Sequence, residues 1–183
     1  MTVAPATSLF RQLLPAQFDA LPPSVRRLHE RDGLQRYHGK VEVERGRHPL
    51  ARVCAWATRL PREGRGPLRV EIEAAAGGER WARIIAGRAM RSRLWSHDGL
   101  LRERLGLVTF DFRLRVDMLP GAGAALVWQV ASARVFGVRL PVGWFGAVGA
   151  REYERDGRYR FDVTAALPGI GRLVHYRGWL DVG

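Results

Sequence analysis

Residues 150–180 read AREYERDGRYRFDVTAALPGIGRLVHYRGWL, and this stretch decides the fold. Asp156-Gly157 predicts a two-residue hairpin turn, because a type I′ turn needs positive φ at both central positions and Asp and Gly tolerate it. After the turn, Tyr159, Phe161 and Val163 alternate with Arg158, Arg160, Asp162 and Thr164. That period of two describes a strand with one apolar face. Leu167-Pro168-Gly169 ends it, and a third run sets Val174, Tyr176, Gly178 and Leu180 against Leu173, His175, Arg177 and Trp179. Three strands joined by short turns dictate an antiparallel β architecture. The stretch carries no chemical motif of its own.

The same grammar extends toward the N-terminus. Val108, Phe110, Phe112, Leu114 and Val116 alternate with Thr109, Asp111, Arg113 and Arg115. Residues 125–131, ALVWQVA, are apolar on both faces, as in a strand covered on both sides or lining a cavity. Asp98-Gly99, Gly87 and Gly77-Gly78 punctuate strands at 68–73, 79–86 and 89–95, and residues 140–149, LPVGWFGAVG, read as an apolar loop or short helical turn. A first strand alternates Tyr37, Gly39, Val41 and Val43 with His38, Lys40, Glu42 and Glu44. Pro49 then starts a helix whose Leu50, Val53, Cys54, Ala57 and Leu60 form an apolar stripe before Pro61. That stripe predicts Cys54 to be a buried packing thiol. Arg52, Trp56 and Arg59 on the other side read as a solvated face with a snorkelled tryptophan rather than a membrane contact. Ahead of these, Ser8 or Thr7 caps a short helix LFRQLL, and Pro22-Pro23 opens a second, SVRRLHE. Its Val25 and Leu28 should face inward, with His29 at the surface.

About nine or ten antiparallel strands must deal with their edges, and curling into a barrel or half-barrel does so. The expectation is a mainly β single domain over residues 1–183. Residues 1–33 would form a helical lid, residues 36–183 the barrel-like body, and the helix after the first strand would lie across the open end. A helix-grip fold of the lipid-transfer type wants a long C-terminal helix, where this chain ends in a strand.

Composition limits function. The 183 residues carry Lys+Arg 30 against Asp+Glu 18, a net charge of +12, and Lys40 is the one lysine. The arginines alternate with apolar residues along nearly every strand, as on a solvated outer face, which argues against a nucleic-acid interface with its concentrated charge. No apolar run approaches the ~20 residues of a membrane span. With no secretory leader pattern and a single cysteine, a cytoplasmic protein is expected. His29, His38, His48, His97 and His175 are too scattered for a metal site, and no Gly-x-Ser-x-Gly elbow is present.

Residues 78–95 (GERWARIIAGRAMRSRLW), 103–112 (ERLGLVTFDF), 136–141 (FGVRLP) and the stretch 150–180 resemble the bacterial domain-of-unknown-function family 4166. Residues 9–30 and the VERG of residues 43–46 fit its N-terminal half. In that family the domain often follows a saccharopine-dehydrogenase-like NAD(P)-binding domain. The resemblance therefore implies a separate reductase of that type as a partner, while this chain is read as standing alone. No Gly-x-Gly-x-x-Gly turn follows a strand, so no dinucleotide cofactor is expected.

Two function classes follow. The first is a barrel that binds a small hydrophobic molecule, lined by Trp81, Trp95, Phe112, Trp128, Tyr159 and Tyr176 with Arg177. The second is a cofactor-independent cyclase or isomerase acting on a bound hydrophobic intermediate, with His175, Glu152 and Tyr153 as its acid–base groups. A domain docking onto a separate dehydrogenase is a third. Against the catalytic set stands a plain cross-strand charge ladder of Glu152, Arg160, Asp162 and Arg177 on the outer face. An apolar cavity is expected near residues 49–60, with His175 or Glu152 as its polar occupant.

Overall fold

The computed structural model describes residues 7–30, 32–57, 60–75, 77–121 and 123–183. The elements run α1 (Leu9–Leu13), α2 (Pro23–Glu30), β1 (Gly33–Arg45), α3 (Pro49–Ala57), β2 (Gly64–Ala75), β3 (Gly78–Ile85), β4 (Arg88–His97), β5 (Leu100–Leu105) and β6 (Val108–Leu119). They continue with β7 (Gly123–Val135), β8 (Val138–Leu140), a 3-10 turn at Val142–Phe145, β9 (Ala147–Arg155), β10 (Arg158–Leu167) and β11 (Gly171–Asp181). Every pairing is antiparallel. The order β6-β5-β4-β3-β2-β1-β11-β10-β9-β7 closes through a β6–β7 pairing, so ten strands form a barrel, and β8 is an extra strand beside β7. The expected barrel is thus present and fully closed. The short strands β5 and β8 are the two whose alternation was too brief to read.

Four hairpins use two-residue turns with both φ positive: Ala86-Gly87, Asp98-Gly99, Phe136-Gly137 and Asp156-Gly157. Their twist matches that of the flanking strands. The seam between the first and last strands needs glycine. A Cβ on Gly178 would stand 2.1 Å from the Lys40 carbonyl oxygen and 2.7 Å from the Phe161 ring. One on Gly39 would stand 1.8 Å from the Trp179 carbonyl oxygen.

Chain direction sorts the connections between two rims. At the lid rim lie α1, α2 and the turns at Gly77, Asp98-Gly99, Gly121 and Asp156-Gly157. Ser8 caps α1, its Oγ accepting from the Arg11 N–H at 3.4 Å. Phe10, Phe18, Leu21, Val25 and Leu28 are buried, which drives the helices into the barrel end. The Ser24 N–H donates to Glu154 at 2.9 Å, and Arg27 donates to the Gly183 carbonyl, so α2 is tied to β9 and to the chain end. His29, expected at the surface, has a fully buried side chain. It stands four residues after Val25, on the same helical face, and enters the barrel with it.

At the opposite, mouth rim lie α3 and the turns at Ala86-Gly87, Gly106-Leu107, Phe136-Gly137 and 168–170. The expected apolar stripe of α3 is not buried. Leu50 and Val53 are 53% and 59% exposed, Cys54 is half-buried, and Ala51 alone of 50–54 is fully buried, against Gly46. The Ala57 side chain and Arg59 lie outside the described residues, as do residues 1–6. The helix sits beside the mouth instead of across a filled core, so Leu50 and Val53 stay exposed while Leu60, after the helix, packs against the core. Among the described residues no helix is long and apolar enough to cross a membrane.

Candidate functional site

The apolar faces of the strands point inward. Alternation along β2 delivers Leu68, Val70 and Ile72 to the lumen, and along β10 Tyr159, Phe161 and Val163. They surround a cavity of about 150 Å³ between the lid and the mouth. Ala150 and Ala165 line it, and their small side chains leave the space that larger neighbours would fill. Leu60 and Met90 belong both to this cavity and to a wide depression of about 1080 Å³ at the mouth rim, beside Trp56 of α3.

The polar part of the wall comes from alternation as well. In β3, Glu79, Trp81, Arg83 and Ile85 share one face, and Glu103 sits between Leu101 and Leu105 on β5. Arg83 donates to Ser92 Oγ at 3.0 Å and to Glu103 at 3.3 Å, with its guanidinium 4.7 Å over the Trp81 ring. Burial works against its charge, but Glu103 and the other anionic neighbours outweigh this and raise its pKa. Glu152 of β9 faces the lumen, and His29 Nε2 lies 2.5 Å from its Oε2. Phe10 packs on the His29 ring at 3.7 Å, and Trp81 stacks at 5.9 Å on it.

Titration follows from this burial. Desolvation, and then the Glu152 carboxylate, push the Tyr159 phenol well up. Desolvation raises Tyr176 to about 12 although Arg83 pulls it down. Burial also raises Glu79, against the nearby His29 and the hydrogen bond its Oε2 accepts from Trp81 Nε1 at 2.7 Å. Two buried nitrogens, Trp128 Nε1 and His29 Nδ1, have no hydrogen-bond partner among the described residues.

Of the expected aromatic lining, Trp81, Phe112, Trp128, Tyr159 and Tyr176 all border the cavity. Trp95 and Arg177 do not. Trp95 stands on the outer wall with the Arg93 guanidinium 5.5 Å away, and Arg177 reaches Glu42 at 3.3 Å on the outside. The set Glu152, Tyr153 and His175 does not converge. Adjacent strand residues point to opposite faces, so Tyr153 is outside where Glu152 is inside. His175, between the lumenal Val174 and Tyr176, is also outside and meets Asp162 at 3.0 Å. The outer charge ladder forms from Asp162, His175, Arg177 and Glu42, without Glu152. The residues that sequence reasoning missed are His29, Arg83, Glu79 and Glu103. Their signal was parity: each falls in step with apolar neighbours on its own strand or helix.

The wall can thus hold a mostly apolar molecule while offering a buried guanidinium and a carboxylate to one polar end. Among the described residues no three His, Cys, Asp or Glu side chains gather as a metal site would require. No curated protein is significantly similar to the chain. A family model does match, over residues 21–180, which takes in His29 of the lid and every strand of the barrel, and its description is domain of unknown function, DUF4166. A match of that extent settles membership: this ten-stranded barrel belongs to the DUF4166 family.

Proposed function

We propose that the barrel binds a small, largely apolar molecule in its lumen, with a polar end against Arg83 and Glu152. The observation that supports this most is the cavity itself: apolar walls, with the Arg83 and Glu152 side chains among its lining. A hydrophobic fluorescent probe should bind saturably, one per chain, and medium-chain lipids or polyketide-like molecules should displace it. Ala165→Trp fills the cavity and should abolish binding, while Trp95→Ala on the outer wall should not change it. Equal binding by Ala165→Trp would place the probe elsewhere and sink the reading.

A second reading, cofactor-independent catalysis of the cyclase or isomerase type, is favoured by the Glu152–His29 contact. Glu152 borders the cavity and would take a proton from a carbon acid, and His29, behind it, would orient the carboxylate. A bound ketone should then exchange its α-protons with deuterium oxide. Glu152→Gln should slow that exchange about 100-fold while keeping probe affinity. Exchange that is no faster than in buffer leaves the binding role alone.

A further inference from the structure

Of the ten large hydrophobic side chains exposed on the described surface, Leu34 and Met118 belong to the lid half. The other eight, Leu50, Val53, Trp56, Leu107, Phe136, Val138, Val142 and Trp144, are carried by α3, by mouth turns and by the segment from β8 to β9. That segment is at the mouth too, because its Phe145 packs 5.9 Å from Phe110, near the mouth end of β6. Phe136 is 77% exposed and holds φ +50°, a conformation that disfavours bulky residues and that Asp supplies at the lid turns. Turn chemistry does not explain a phenylalanine there.

Unpaired cations gather at the mouth as well. Exposed Arg47, Arg52, Arg62, Arg88 and Arg139 surround the mouth, and among the described residues none has a carboxylate within 4.0 Å. At the lid rim Asp32, Asp98, Asp117, Asp156 and Asp181 stand among the exposed Arg27, Arg80, Arg155 and Arg158. The mouth is therefore apolar with unpaired cations, whereas the lid rim carries both signs.

We propose that the mouth rim docks on an anionic lipid bilayer. Trp56, Phe136 and Trp144 would seat in the interface, where aromatic side chains concentrate, and the arginines would lie against the headgroups. Two features favour lipid over a protein partner. Arginines lie among the apolar side chains, Arg52 with Leu50, Val53 and Trp56 and Arg139 with Phe136 and Val138, as at a membrane interface, instead of ringing one dry patch. The depression lined by Arg52, Trp56, Arg62, Arg88 and Leu107 also shares Leu60 and Met90 with the lumenal cavity. A folded partner would cover this approach to the lumen, whereas a bilayer would present apolar molecules to it. Docking itself does not rest on the lumen being filled.

Vesicle co-sedimentation tests this. The protein should bind phosphatidylcholine vesicles that contain phosphatidylserine, release with added salt, and ignore pure phosphatidylcholine. Arg52→Glu with Arg88→Glu should weaken binding about 30-fold or more. The same reversal at Arg91 and Arg113, exposed on the mid-wall, should change it less than about threefold. Brominated lipid should quench tryptophan emission, and Trp56→Ala with Trp144→Ala should remove most of the quenching. Equal losses from rim and wall reversals would mean diffuse attraction by the +12 charge and would overturn the proposal. So would a doubled mass in light scattering that Trp56→Ala returns to monomer, which would make the rim an interface between copies. Ala165→Trp, which tests the lumen, should leave vesicle binding intact, so the two readings fail separately.

Discussion

The two rims of the barrel solve one geometric problem with different residues. Each needs two-residue turns with positive φ. The lid rim uses Asp98-Gly99 and Asp156-Gly157, while the mouth rim uses Ala86-Gly87 and Phe136-Gly137. The lid rim buries its aromatic Phe10 and Phe18 completely, and the mouth rim exposes Trp56 and Phe136. Ten identical strand ends would let either rim be sealed. The lid end is thus packed, while the mouth end leaves apolar and strained residues at its surface, at some cost to stability.

The largest expected effect lies at the lid. Phe10→Ala removes a fully buried ring from the His29 and Trp128 contacts and should cost about 3–5 kcal/mol in urea unfolding. A loss below about 1 kcal/mol would mean that the lid is not part of the cooperative fold. At the mouth the sign reverses. Phe136→Asn relieves the left-handed strain of a bulky residue and should raise stability by up to ~1 kcal/mol. It should also weaken vesicle binding, and a variant that gains stability without that loss would break the contrast. The smallest effect is a pH dependence at the lid end. Burial holds the folded pKa of Glu79 above its unfolded value. Its contribution is thus fully present below the unfolded pKa and is lost as pH rises through the folded one. Glu79→Gln keeps an acceptor for Trp81 and avoids that loss. The variant should match the parent in acid and be the more stable at neutral pH, and thermal melts across pH would show the opposite slope if burial did not govern this group.

Much of this fold was legible because antiparallel sheets advertise themselves locally. Asp98-Gly99 and Asp156-Gly157 mark turns by chemistry, period-two alternation gives the strand faces, and the edge problem requires closure. β5 and β8 were missed because six and three residues are too few for alternation to register. The site was less legible, for two reasons. Alternation separates two faces but does not say which is lumen, so Trp95 and Arg177 were grouped with true lining residues such as Trp81 and Tyr176. Grouping Glu152 with Tyr153 ignored the alternation itself, which puts neighbours on opposite sides. His29 was assigned to solvent on its polarity, although its spacing from Val25 and Leu28 placed it on the buried face. The α3 stripe failed differently: amphipathicity reports that a helix has an apolar side, and here Leu50 and Val53 of that side face solvent.

The β1–β11 seam has a consequence for how the molecule is made. His38 pairs with Asp181 and Arg45 with Val174, so the row of hydrogen bonds that completes the ring joins the first strand to the last. Synthesis proceeds from β1 toward β11, and until β11 emerges the nascent sheet carries an unpaired β1 edge around an unenclosed apolar interior. Contacts this distant in sequence close slowly, because loop entropy is lost before they form. The waiting edge is also the surface on which a second nascent chain could add a strand. Arg36, Lys40, Glu42 and Glu44 on β1 put charge of both signs along that edge during the interval, and charged side chains are one means by which open edges resist such addition before there is any barrel.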